Sequence, residues 1–270
     1  MKVIYVFLLV LIILIIFLVS FCFLIQKKHR KSKIYVNFTT IPSRISSIEP
    51  VIKSLVNQTE KISKIFINIP RKYIRFKEKV KIPEFLEKYK SDVEIFYLDN
   101  DYGPLTKVIG PLINEKIGSN DIILITDDDR ERDSEWAANL VNSIKKNPKS
   151  ITTFQYFNSD IIWGTAGFGF IKTVVSLKEL KNFFLSVKNQ CLKVDDHLLT
   201  AYAKYKKIPI LGMLHIKDKE IDLPDKLVDS GRKKDSEICR RAIYDEYGLK
   251  FPFWCCKDCC PSSSLISDII

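Results

Sequence analysis

The stretch Asp121-Ile-Ile-Leu-Ile-Thr-Asp-Asp-Asp-Arg-Glu-Arg-Asp133 carries the first residues whose types and spacing suggest chemistry. An apolar, β-branched run ends directly in three aspartates. Side chains alternate along an extended chain, so Asp127 and Asp129 are expected to point one way and Asp128 the other. Two converging carboxylates repel unless a cation lies between them. Hard divalent ions, Mn²⁺ or Mg²⁺, take such oxygen ligands and leave positions open for water and phosphate oxygens. The spacing therefore predicts a metal–diphosphate site on Asp127 and Asp129. A solvated acidic turn that caps the following helix is the plain alternative.

A second acidic pair, Asp195-Asp196, opens an expected helix over 195–206. A helix N-terminus favours carboxylates by itself, so capping accounts for the pair without catalysis. A carboxylate there can also serve as a general base for an acceptor hydroxyl. Between the two acidic clusters lies the segment Trp163-Gly-Thr-Ala-Gly-Phe-Gly-Phe170, with three of the chain's nine glycines. Glycine permits close backbone approach. Gly164 and Gly167 would let a ligand lie against the main chain, with Trp163 as a stacking face; a bulged strand with a core tryptophan is the other reading.

The elements that must position these residues follow from periodicity. Strands are expected over 33–40, 62–70, 93–98, 121–126 and 150–156. Helices are expected over 46–58, 134–146, 176–187 and 195–206, with a short one over 105–117 interrupted near Gly110-Pro111. Residues 71–91 are basic and mixed. Alternating strands and helices predict an α/β fold, a mostly parallel sheet with helices on both faces. Ligands of such sheets bind beyond the carboxyl ends of the strands, where the aspartate triplet falls.

Val-Asn-Phe-Thr-Thr-Ile-Pro-Ser-Arg-Ile (36–45), Asp-Tyr-Gly-Pro-Leu-Thr-Lys (101–107), the triplet, the glycine-rich segment and Val-Asp-Asp-His (194–197) occur in this order. The ordered set resembles GT-A type, family 2-like glycosyltransferases that use nucleotide-sugar donors. The resemblance covers about residues 34–212. It implies a GT-A-like catalytic domain over 34–215. It also implies transfer of a hexosyl or related group from a nucleotide sugar to a glycan, lipid or protein acceptor, with inversion. Under it, Thr39, Thr40 and Arg44 hold the nucleotide, and Asp99 or Asp101 binds base or ribose. Lys107 and Asp128 belong to the donor site, Asp127 and Asp129 hold the metal, Asp196 is the base and Asp195 its sugar-binding partner. Each has a plainer use. Arg44 can be an exposed loop arginine, Asp99 or Asp101 can start the turn at Tyr102-Gly103-Pro104, and Lys107 can be solvated. His197 is expected at the surface, and His215 is either a third metal ligand or an ordinary histidine. An inactive sugar-binding or scaffold protein of the same fold, or a metal-dependent nucleotidyltransferase, are the competing functions. No GxxxxGK[ST] loop supports the latter.

The chain of 270 residues is 46% hydrophobic and 28% charged, with net charge +11. Six of the basic residues and no acidic ones lie in 1–33, and no arginine-rich stripe predicts nucleic acid. Val3 to Ile25 is apolar and uncharged. It is read as a single-pass membrane anchor over residues 3–25, with a basic flank to residue 33. The flanking charges favour a cytosolic catalytic side. Residues 216–270 form a C-terminal extension with the segment Cys255-Cys-Lys-Asp-Cys-Cys260. Zinc, disulfides or lipidation are all open to it.

Overall fold

The computed structural model describes residues 2–29, 31–155, 161–186, 194–214, 218–225 and 239. His215 and Cys255 to Cys260 lie outside them. The chain divides into two units, Met1–Ser32 and Lys33–Ile270.

The first unit contains helix α1 (Lys2–His29). Among the described residues no helix is long and apolar enough to cross a membrane. The expectation of a single-pass anchor over residues 3–25 is corrected accordingly, and with it the membrane localisation.

In the second unit the elements run in chain order as β1 (Ile34–Thr39), α2 (Glu49–Val56), β2 (Lys64–Pro70), β3 (Val93–Leu98), α3 (Thr106–Ile113), β4 (Ile122–Ile125), β5 (Arg130–Glu131), α4 (Trp136–Lys146), β6 (Ile151–Gln155), β7 (Phe168–Ile171), α5 (Leu177–Ser186), α6 (Asp195–Tyr205), β8 (Ile210–Leu214) and β9 (Lys219–Glu220). Seven strands make one sheet in the order β3-β2-β1-β4-β7-β6-β8. β3, β2, β1 and β4 are parallel, as are β6 and β8; β7 runs antiparallel to β4 and β6. The mostly parallel sheet agrees with the expectation. The short antiparallel β7 carries Phe168, Gly169 and Phe170 from the glycine-rich segment.

Strand alternation sends one set of side chains to each face. Tyr35, Phe66, Ile123 and Ile125 pack with α3, α5 and α6 in one buried cluster. Val36, Phe38, Ile65, Ile122 and Leu124 pack with α2 and α4 in the other. Helices therefore cover both faces, and the central strands β1, β2 and β4 are buried along nearly their whole length, as sheets covered on both sides require. The expected interruption of α3 does not occur. Pro111 sits inside the helix, and Gly110 lies so close to Asn68 on β2 that a Cβ would fall 2.0 Å from its Oδ1. Close helix–strand approach, not a break, is what this Gly110-Pro111 pair serves.

Candidate active site

The cleft lies beyond the carboxyl ends of β1, β2 and β4. Its cavity of about 230 Å³ is lined by Thr39, Thr40 and Arg44 after β1, Asp101 and Lys107 before and on α3, Asp127 to Arg130 after β4, and Asp195 at the start of α6. The apolar β4 is pinned between β1 and β7, so the first residues free of the sheet are the aspartates.

The three carboxylates go to different partners. Asp128 is buried; it accepts hydrogen bonds from Thr40 Oγ1 at 2.7 Å and Arg44 Nη1 at 3.1 Å. Burial pushes its carboxyl up from the usual range, against the pull of Arg44. Asp127 Oδ1 is 2.5 Å from Lys107 Nζ. Asp129 stands 4.0 Å from Arg44 Nη1 and 3.8 Å from Arg130 Nε. Its buried Oδ1 accepts no hydrogen bond among the described residues. Burial, then the charges of Asp127 and Asp128, push it up to about 6.

Lys107 joins the two acidic clusters. Its ammonium is buried and lies 2.7 Å from Asp195 Oδ2 as well as beside Asp127. Burial works against the charged amine, but the two carboxylates outweigh it and raise its pKa. Burial also raises Asp195, with Lys107 opposing and Asp196 and Asp127 adding to the rise. Gly164 faces this group. A Cβ there would stand 3.4 Å from Lys107 Nζ, 3.7 Å from Asp195 Oδ2 and 3.8 Å from Asp196 Oδ2. A methyl group at this position would touch both carboxylates of the second pair at ordinary contact distance.

Other expected residues are placed differently. Asp99 is exposed, pairs with Arg71 at 3.2 Å and does not line the cleft. Asp101 does line it, yet its oxygens accept from the amides of Ile74 and Gly103, a turn-forming use. Trp163 packs against a core cluster. Gly167 adopts φ +88°, and a Cβ would lie 2.7 Å from Trp136 Nε1; it serves the turn, not the cleft. Arg44 is nearly buried and clamps the chain, donating to the carbonyls of Pro224 and Asp225 at 2.8 and 3.1 Å.

Sequence reasoning missed the strap that Arg44 holds. Residues 218–225 cross the cleft rim: β9 pairs with β5, Ile221 N donates to Asp129 O, and Glu220 and Asp225 line the cavity. Arg132 was also missed. Fully buried, it donates to Thr126 Oγ1, the carbonyls of Thr165 and Ala166, and Asp218, and it stacks over Trp136. These partners lie far apart in sequence, so no local pattern announces them.

No family model matches the chain, and no curated protein is significantly similar to it. Solved structures are similar in fold. A mannosyltransferase, PcManGT from Pyrobaculum calidifontis in complex with GDP-Man and Mn²⁺, superposes with TM-score 0.56 at 10% identity, over 83% of this chain and 66% of that one. GalNAc-T7 with UDP, GalNAc and Mn²⁺ gives 0.57 at 14%, over 82% and 49%. Glucosyl-3-phosphoglycerate synthase from Mycobacterium tuberculosis gives 0.52 at 10%, over 82% and 81%. The chain thus spans about two thirds of the first and half of the second. At these identities the likeness is one of fold alone: the chain has the fold that these glycosyltransferases share.

Among the described residues no group of three or more His, Cys, Asp or Glu side chains is gathered to hold a metal. Asp128 is engaged by Thr40 and Arg44, which leaves two carboxylates of the triplet to meet a cation. The residues nevertheless fit a divalent ion. Asp129 Oδ1 is a buried carboxylate oxygen that accepts no hydrogen bond among the described residues, and Mg²⁺ or Mn²⁺ commonly uses one or two carboxylates with substrate phosphates and water.

Proposed function

We propose that the chain is a divalent-metal-dependent glycosyltransferase that moves a sugar from a nucleoside-diphosphate donor to an acceptor hydroxyl with inversion. The observation that carries this reading is the joining of two acidic clusters across one cleft by a buried lysine. One cluster suits a diphosphate with its metal, the other a proton. The complexes of similar fold hold GDP-Man or UDP with Mn²⁺, which supports a donor of this class.

Asp127 and Asp129 would hold Mn²⁺ or Mg²⁺, which offsets the charge that gathers on the departing diphosphate. Thr39 and Asp101 border the nucleotide end. Lys107 fixes Asp127 and Asp195 relative to each other and adds positive charge near the leaving group. Asp196, beside the space that Gly164 leaves, takes the acceptor proton as the hydroxyl oxygen attacks the anomeric carbon. Asp195 is committed to Lys107 and orients the pair.

Asp196→Asn tests the division of labour. Transfer should fall about 10²–10⁴-fold, with donor affinity, measured separately by calorimetry, nearly unchanged. Loss of donor binding in that variant would contradict the role assigned to Asp196.

A further inference from the structure

Beyond the cleft, residues 69–80 and Tyr97 enclose a second concavity of about 740 Å³. It falls within the roughly 300–1,000 Å³ of ordinary ligand clefts. The two cavities share Tyr73, Arg75 and Phe76 in their linings, so they lie side by side. Its walls carry Arg71, Lys72, Arg75, Lys77 and Lys79 against a single acid, Glu78. Arg71 pairs with Asp99 and lies over the Tyr97 ring. Lys72, Arg75, Lys77 and Lys79 have no carboxylate within ion-pair distance among the described residues. Like charges crowded on one short segment repel one another, and burial together with the charge of Arg44 lowers the pKa of Arg75, against the pull of Asp101. An anion relieves that repulsion. Phe76 is partly exposed and Tyr97 exposed, with Arg75 and Arg71 over one side of each ring, while Tyr73 is buried beneath them.

We propose that this groove binds an anionic glycan, the acceptor chain whose hydroxyl is glycosylated in the adjoining cleft. The inference rests on the reading of that cleft as a sugar-transfer site. Concavity argues for a chain threaded through the groove, since a flat lipid surface meets convex or planar charge most fully. The ring surface left open at Phe76 and Tyr97 suits sugar rings, and the lining shared with the cleft puts an anchored chain beside it.

Binding of the full-length chain to phosphomannan, polygalacturonate, neutral dextran, poly(U) and phosphatidylglycerol vesicles tests the proposal without turnover. The two anionic glycans separate phosphate from carboxylate as the preferred charge. At least one should bind in a salt-sensitive way, dextran should not, and Lys72→Glu/Lys77→Glu/Lys79→Glu should weaken binding by about tenfold or more. These three lysines are exposed, so the variant should keep the wild-type melting temperature and donor hydrolysis. Binding of dextran as tight as that of the charged glycans, binding only to poly(U) or vesicles, or an unchanged triple variant would overturn the proposal. Absence of donor hydrolysis in the wild type, with glycan binding intact, would count against the transfer reading instead.

Discussion

Asp128 is the member of the triplet that the protein itself consumes. Its pair with Arg44 is buried, with side-chain exposures of 8% and 11%. Removing one partner of such a pair leaves a buried charge, at a cost of about 3–5 kcal/mol. Asp128→Ala should therefore unfold at markedly lower temperature by calorimetry, whereas Asp127→Asn and Asp129→Asn should keep their fold and lose donor turnover. Unchanged stability of Asp128→Ala would refute the clamp. Asp129 adds a pH dependence. Its native carboxyl is raised to about 6, above the value of about 3.9 expected unfolded. In the metal-free protein the native state thus binds the proton more tightly. The stability this confers is full below pH 4 and is lost as pH rises through 6. The proton competes with the metal, so Mn²⁺ affinity should fall about tenfold between pH 7.5 and 5. Titration calorimetry at both values checks this; equal affinities would exclude Asp129 as a ligand.

At the scale of elements, the glycine-rich segment does two jobs at two positions. Gly167 has φ +88° against the Trp136 ring, so Gly167→Ala should destabilise the domain. Gly164→Ala meets only ordinary contact distances; it should fold normally and slow transfer by filling the space beside Asp195 and Asp196. A Gly164→Ala enzyme with full transfer activity would mean that no substrate approaches there. Much of this layer was legible beforehand. The β-branched and aromatic run at Ile34–Thr39, the apolar run at Ile122–Ile125 and helical spacing in Trp136–Lys146 gave the strands, the helix and the acidic strand end. Two kinds of feature were not. Close packing turned Gly110-Pro111 from a supposed break into a contact with Asn68. Long-range pairing of Arg44, Arg130 and Arg132 with residues 218–225 has no local signature, so neither the strap nor the clamp that Arg44 makes on it is legible in the sequence.

At the scale of the molecule, Lys33–Ile270 forms a unit distinct from Met1–Ser32. Deletion of residues 1–32 should leave a folded domain whose melting temperature matches that of the full chain; collapse of the domain would contradict this. Cys239 is buried and disulfide-bonded. Disulfides persist in oxidising compartments and are rare in the cytosol, which runs against the cytosolic placement that the flanking charges suggested. Alkylation of the unreduced native protein should spare Cys239, and labelling at that residue would show a free thiol.

The central claim is that one cleft breaks a sugar–diphosphate bond with metal assistance and hands the sugar to a hydroxyl with inversion. Its most direct test is a screen of GDP- and UDP-sugars with Mn²⁺, followed by the anomeric configuration of the product by NMR. The account predicts nucleoside diphosphate release that a chelator abolishes, that Asp127→Asn and Asp129→Asn lack, and that yields a product of inverted configuration. Release undiminished in chelator, or a product with the donor's configuration retained, would contradict it.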